Sequence, residues 1–364
     1  MTTAEATAGT IATATATALQ NVGQACRYRT PSPRLRRVAP HRPGRKSRRL
    51  NYKVLDFVST STPRVVRRHM MQAQQQISRR TVARIEDRVH LGPDAQVEDK
   101  SLMFSPRAPA LTDPFLVLVD DLFSEPGFEW HPHRGLETVT LVLDGVLEHG
   151  DSIGNSGTLA AGDIQWMTAG RGIIHRELAF RNERAHILQL WVNLPADKKM
   201  VDSRYQDLLA AGRPAIDHDG AHIDLISGAT GGLTGPALTH WPISGSMITM
   251  EPGRSLDHVL PGQDRAFFTV LSGAVSIAGR TVTARQTAWS DPLPEADLSV
   301  IGLRAGDGDT PTEVLTFSGP PIRQPVAMGG PMVMNTPAEI EQAFRDFHSG
   351  RFGAVPRQAR LRYR

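Results

Sequence analysis

From Thr81 onward, apolar and polar positions fall in short, strand-like runs. "FLVLVDDL", "ETVTLVLDGVLEHG", "GDIQWM", "HILQLWVNL", "MITMEPG", "AFFTVLSGAVSIAG" and "EVLTFSG" are rich in β-branched or aromatic residues and bounded by Gly, Pro or Asp, the pattern of β-strands. Helical patterning is rare. "DSRYQDLLAAG" (Asp202 to Gly212) predicts a short helix closed by glycine. "NTPAEIEQAFRDFHSGRFG" predicts a second: Thr336 caps it, Pro337 fills the first turn, Glu339 completes a capping box and Gly350 ends it. The strand–turn–strand order of "VTLVLDGVLEHGD…LAAGDIQWM" recurs in "FTVLSGAVSIAGRTVTARQTAW". That repeat predicts an all-β chain with two similar β-domains in tandem.

Composition agrees. With 364 residues, 32 Gly and 26 Pro, the chain has room for two domains of short strands joined by tight turns. No apolar run reaches the length of a membrane span. The single cysteine, Cys26, excludes an internal disulfide and fits a reducing, cytoplasmic setting.

The formal charge of +4 conceals two unlike segments. Residues 1–69 hold 14 Lys/Arg against only Glu5 and Asp56, a net of +12, which leaves −8 on the remainder. The basic pI therefore belongs to the leader, not to the acidic body. The leader joins an Ala/Thr repeat to "RYRTPSPRLRRVAPHRPGRKSRRL", a composition that cannot bury a core, so we expect residues 1–77 to be disordered. Three readings of it stay open: an organelle transit peptide, a polybasic arm touching nucleic acid, or an over-long start with translation beginning at Met70 or Met71.

Candidate chemistry lies in two places. In "WMTAGRGIIHRE", His175 and Glu177 are two apart after a glycine-rich turn, so on a strand they share one face. In "HPHRGLETVTLVLDG", His131 and His133 do the same. Continued along the chain, that parity puts Gly135, Glu137, Val139, Leu141 and Leu143 on the histidine face, as an apolar barrel lining. It puts Pro132, Arg134, Leu136, Thr138 and Thr140 on a solvated face. Three imidazoles and one carboxylate suit a first-row divalent ion better than calcium or magnesium, and they leave octahedral positions open for substrate. Parity leaves Glu137 a rival to Glu177 as the carboxylate. His149, His186, His222 and His258 read as ordinary hydrogen-bonded histidines, and Trp166 and Trp191 as core packing. In "LQLWVNL", either the Gln189, Trp191, Asn193 face or the Leu188, Leu190, Val192 face could look into the cavity.

The arrangement resembles the two motifs of the cupin superfamily: His131, His133 and Glu137 match the first, and Gly162, Gly172 and His175 match the second, with Thr168 where a proline is expected. "HPHRGLETVTLVLDG", "GDIQWMTAGRGIIHRE", "LQLWVNLP" and "GPMVMNTPAEIEQAFRDFHSGRFG" are similar to the signature stretches of the pirin family, in the expected order from Trp130 to Gly353. The resemblance covers the chain from about Ser78 and excludes the leader. It implies a bicupin: two antiparallel β-barrel (jelly-roll) domains, at 78–201 and 202–364, with a C-terminal helix packing back. It also implies one metal, usually iron, though manganese, cobalt, nickel, copper and zinc remain open. The metal would sit in the first domain on His131, His133, His175 and Glu177, with Glu137 then orienting a histidine. The second repeat, "GRSLDHVLPGQDRAFFTVLSG", has only His258 and no HxH, so its barrel is expected to be metal-free.

Pirin relatives in bacteria include quercetinases, which open a flavonol ring with dioxygen and release carbon monoxide. On that pattern Glu177 is the catalytic base, and Val139, Leu141 and Ile173 wall the substrate. Other pirins resemble iron-dependent, redox-responsive regulators that bind a protein partner such as a transcription component. Small-molecule chemistry, no membrane, nucleic acid only through the leader, and a monomer complete the expectation.

Overall fold

A computed structural model describes residues 77–105 and 108–355; the expectations for the leader and Cys26 lie outside these residues. The regular structure of the described residues is β-strand apart from short helical turns and one substantial helix near the end, with turns and loops between. The strands that build the functional region are β1 (Phe115–Phe123), β2 (Phe128–His133), β3 (Leu136–Asp151), β4 (Ile164–Thr168), β5 (Ile173–Ala179), β6 (Ala185–Asn193) and β7 (Arg204–Leu208). They belong to one ten-stranded sheet, in which β7, β4, β3, β6 and β1 lie side by side and β5 pairs with both β2 and β3. Strands from the second half of the chain form the second barrel, in sheets of seven and five strands.

The two halves exchange their ends. Ser78–Arg79 pairs parallel with Leu298–Ala305, and Arg84–Asp87 pairs antiparallel with Gln286–Ser290, so residues before the first barrel complete the second. Arg80, next to the first of these strands, is only 3% exposed. Its guanidinium donates to Ser299 Oγ and to four backbone carbonyls, those of Pro261, Gly262, Asp264 and Asp291.

Asp202 to Gly212 is not a helix. Arg204–Leu208 is strand β7, paired antiparallel with β4, and only Ala210–Gly212 makes a single 3₁₀ turn. The alternation Arg204, Gln206 against Tyr205, Asp207 was the better signal. Arg204 and Gln206 donate outward to Leu238 O, while Tyr205 packs inward against the apolar group of Met167, Ala169 and Ile173.

The largest shared core lies between the barrels. Phe104, Phe115, Val139, Leu141, Trp166, Leu188 and Leu190 of the first meet Phe267, Trp289, Leu315 and Phe317 of the second. Phe267 receives Phe104 and Phe115 edge-on, at centroid distances of 5.1 and 5.0 Å, the arrangement that aromatic quadrupoles favour. Each such side chain contributes about 1.5–3 kcal/mol by burial. The second barrel encloses Leu225, Ile248, Phe268, Val270, Ile301, Leu303 and their neighbours. His258 lies edge-on to Phe268 at 5.9 Å.

The C-terminal helix α1 (Pro337–His348) begins as its sequence predicts: Thr336 accepts from Glu339 N, and the Glu339 side chain accepts from Thr336 N. It packs back toward the first barrel, where Ile174, Met332, Ala343 and Phe352 form one apolar group. Arg134, 4% exposed, anchors it: Nη1 donates to Asp346 Oδ2 at 2.8 Å, Nε donates to Arg171 O at 2.6 Å, and the guanidinium lies 4.5 Å from the Phe352 ring. Hydrogen bonds from Arg134, Gln342 and Arg351 hold the Asp346 carboxyl down at about 2. A depressed carboxylate contributes stability that is full above its ordinary value of 3.8 and is lost as pH falls through about 2. Asp346→Asn strands a buried guanidinium, so we expect a loss of about 3 kcal/mol at pH 7 in urea unfolding, with the gap to wild type closing between pH 4 and pH 2.

Candidate metal centre

Strands β2 and β5 pair antiparallel, with His131 opposite His175 and Ile173 opposite His133. This register brings three imidazoles from two strands to one place. Ring centroids of His131, His133 and His175 lie 5.0, 4.3 and 5.0 Å apart, and one nitrogen from each ring falls within 4.8 Å of the other two. His133 and His175 are buried and His131 is half-buried.

The outer nitrogens are all taken. His131 Nδ1 donates to Glu129 O at 2.8 Å and His133 Nδ1 to Pro331 O at 3.1 Å, while His175 Nδ1 lies 2.8 Å from Tyr205 Oη. The inner Nε2 atoms of His133 and His175 are buried and have no hydrogen-bond partner. Leaving such atoms unsatisfied costs about 1–3 kcal/mol each, so two of them facing one point call for a ligand. Burial pushes the His131 imidazole down to about 4, and burial together with the neighbouring rings holds His133 and His175 well below 6.5. All three are therefore neutral at pH 7, the state in which imidazole coordinates a metal. Donor type, convergence and protonation fit a first-row divalent ion.

Glu177 is 1% exposed, and its oxygens are held from the side: Oε1 accepts from Thr140 Oγ1 at 2.9 Å and Oε2 from Gln189 Nε2 at 2.6 Å. Gln189 Oε1 in turn accepts from Trp191 Nε1 at 3.1 Å. The carboxylate is not among the donors within 4.8 Å of one another; a one-residue bulge in β2 opposite Arg176 separates the His175 and Glu177 pairings. Each oxygen keeps a second lone pair. Burial raises the carboxyl above its usual range, against the two hydrogen bonds that lower it.

Parity continued past His133 fails, for a local reason. Gly135 has φ +79°, and a Cβ there would lie 2.0 Å from Val333 O. This left-handed residue breaks the alternation between β2 and β3. Beyond it, Glu137, Val139 and Leu141 pair with Thr168, Trp166 and Ile164 on the face against the second barrel. Glu137 accepts from Thr168 Oγ1 at 2.7 Å and neither meets nor orients the histidines. Val139 and Leu141 likewise wall nothing near them. The face expected to be solvated supplies Thr140 instead.

The same correction settles strand β6: Gln189 and Trp191 look toward the site, and Leu188, Leu190 and Val192 toward the seam. Trp191 lies edge-on to His133 at 5.2 Å and packs with Leu116, Val117, Leu136 and Val333. It is core, as expected, and also the apolar wall beside the histidines. His186 and His222 meet Asp120 and Asp217 as ordinary hydrogen-bonded residues. His149 stacks parallel on Tyr205 behind His175, at 5.3 Å. Sequence reasoning puts Thr140 on a solvated face, leaves Gln189 on one of two possible faces and gives Tyr205 no role. For Tyr205 the usable signal was the alternation that marks β7 as a strand.

Two β-barrels joined by an aromatic seam, with a three-histidine cluster in the first, define a two-domain cupin. The chain matches the family models described as Pirin over residues 89–192 and Pirin C-terminal cupin domain over residues 246–353. It is 38% identical over 252 residues to pirin-like protein 2 of Arabidopsis thaliana, covering 67% of this chain and 76% of that one. A crystal structure of quercetin 2,3-dioxygenase from Acinetobacter baumannii is similar at TM-score 0.68 and 31% identity, over 77% of this chain and 100% of that one. That of the bacterial pirin YhhW from Escherichia coli in complex with nickel(II) is similar at 0.53 and 26%, over 65% and 99%. The chain belongs to the pirin family. No helix among its described residues is long and apolar enough to cross a membrane.

Burial raises the Glu137 carboxyl from 4.5 to about 7. Its folded form holds a proton that the unfolded chain releases, so stability falls as pH rises from 4.5 to 7. We expect Glu137→Gln to remove that decline in denaturant unfolding and to leave metal uptake at the wild-type level. His133→Ala should reduce metal affinity at least 100-fold in chelator competition.

Proposed function

We propose that the first barrel binds one first-row divalent metal, iron(II) in the working protein, through His131, His133, His175 and Glu177. We further propose that it opens the central ring of quercetin-type flavonols with dioxygen and releases carbon monoxide. The observation that carries the reading is the pair of buried, unpartnered Nε2 atoms converging with a third imidazole. The similarity to the Acinetobacter baumannii dioxygenase supports the reaction class, and the nickel(II) of the Escherichia coli pirin supports a metal in this fold.

When bound, the metal supplies Lewis-acid stabilisation of the deprotonated substrate and a place for dioxygen beside it. The chain supplies the rest. Glu177, made more basic by burial, accepts the proton of the flavonol 3-hydroxyl. Thr140 and Gln189 fix the carboxylate's orientation before substrate arrives, so no reorganisation is needed at the moment of transfer. Trp191 and its apolar neighbours offer a wall for a flat aromatic molecule.

The test is anaerobic loading with Fe(II), then air and quercetin, following loss of the flavonol absorbance and appearance of carbon monoxide. We expect both from wild type, and a 10²–10⁴-fold lower kcat from Glu177→Gln. Metal bound without turnover would contradict the enzyme reading and leave the regulator that binds a protein partner.

A further inference from the structure

We propose that Tyr205 is the positioning residue that sets the tautomer of His175, and so decides whether the third imidazole can take metal. This rests on the reading of the three histidines as a metal site.

An imidazole coordinates through Nε2 only while Nδ1 carries the proton. For His131 and His133 the backbone enforces this state, because their Nδ1 partners, Glu129 O and Pro331 O, are carbonyls and can only accept. His175 differs. Its Nδ1 partner is a phenol, Tyr205 Oη at 2.8 Å, which can accept or donate. If the phenol donated, the His175 proton would sit on Nε2, pointed at the other two rings, and metal would be shut out. If it accepts, Nε2 presents its lone pair.

Metal uptake requires acceptance: with the lone pair of the buried, unpartnered Nε2 free for the ion, the proton lies on Nδ1 and the phenol oxygen receives it. The ring that carries this oxygen is held in place. It stacks on His149 with planes 10° apart, and His149 Nε2 lies 3.3 Å from Asp207 Oδ2. Asp207, two residues along β7 on the same face, also accepts from Gln165 Nε2 at 3.2 Å. Pairing of Tyr205 with Met167 holds the strand itself. A neighbouring strand thus fixes the one ligand tautomer that the backbone leaves open.

Tyr205→Phe keeps the ring on His149 and removes only the hydroxyl. Two readouts apply: Zn(II) affinity by chelator competition, and the His175 tautomer in metal-free protein from long-range ¹H–¹⁵N correlations. Wild type should bind one Zn(II) and hold His175 as the Nδ1–H form. The variant should bind about 10–100-fold more weakly and populate the Nε2–H form, while the metal-free protein still unfolds cooperatively, its midpoint lowered only by the loss of one hydrogen bond. Affinity within twofold of wild type and an unchanged tautomer would overturn the proposal. So would an Nε2–H form in metal-free wild type, which needs no variant. Wild type without stoichiometric Zn(II) would instead overturn the metal reading itself.

Discussion

The close approach of Gly135 to the backbone of Val333 is the contact on which the site's design depends. A side chain at position 135 would collide with Val333 O, and the left-handed turn there lets one chain segment serve two sheet partners. Before it, β2 pairs with β5 and delivers His131 and His133. After it, β3 pairs with β4 and β6 and delivers Thr140. Lys199, 1% exposed, clamps the junction by donating to Gly135 O, Asn193 Oδ1 and Val333 O at 2.9, 2.8 and 3.0 Å. Burial brings this ammonium down to about 7. Its three acceptors are what make a buried cation tolerable. The C-terminal segment is thus part of the first barrel's site, although it follows the second barrel in sequence.

Burial does two opposite things at this centre. It keeps the imidazoles neutral, which costs little and readies them as donors. It also makes the Glu177 carboxylate hard to ionise, which Thr140 and Gln189 oppose by hydrogen bonding. A positive ion among the rings would favour the ionised carboxylate further. The unpartnered inner nitrogens of the histidines fit a cation, and in the proposed function Glu177 would supply the balancing charge.

Much of this was legible in sequence, and the failures are local. Period-two spacing brings His131 and His133 together and sets His175 opposite them because β2 and β5 are regular where the histidines sit. The cap of α1 was legible because Thr336, Pro337 and Glu339 act through their own neighbours. Parity failed at Gly135, where a left-handed residue resets the facing of everything after it, so Glu137 was kept as a rival ligand and Thr140 was placed outside. The helix expected at 202–212 failed because apolar residues and a closing glycine outweighed the alternation of Arg204–Leu208. Strand β6 stayed undecided because both its faces are buried, one in the barrel and one in the seam. No local pattern could show that Tyr205 meets His175, since tertiary pairing makes that contact.

The most direct measurement is X-ray absorption fine structure on protein loaded with one equivalent of Fe(II) under anaerobic conditions. A shell of three imidazole nitrogens and one carboxylate oxygen at about 2.0–2.2 Å, losing one imidazole in His133→Ala, is the predicted result. A shell with fewer than three imidazoles, or one unchanged by that substitution, would contradict it.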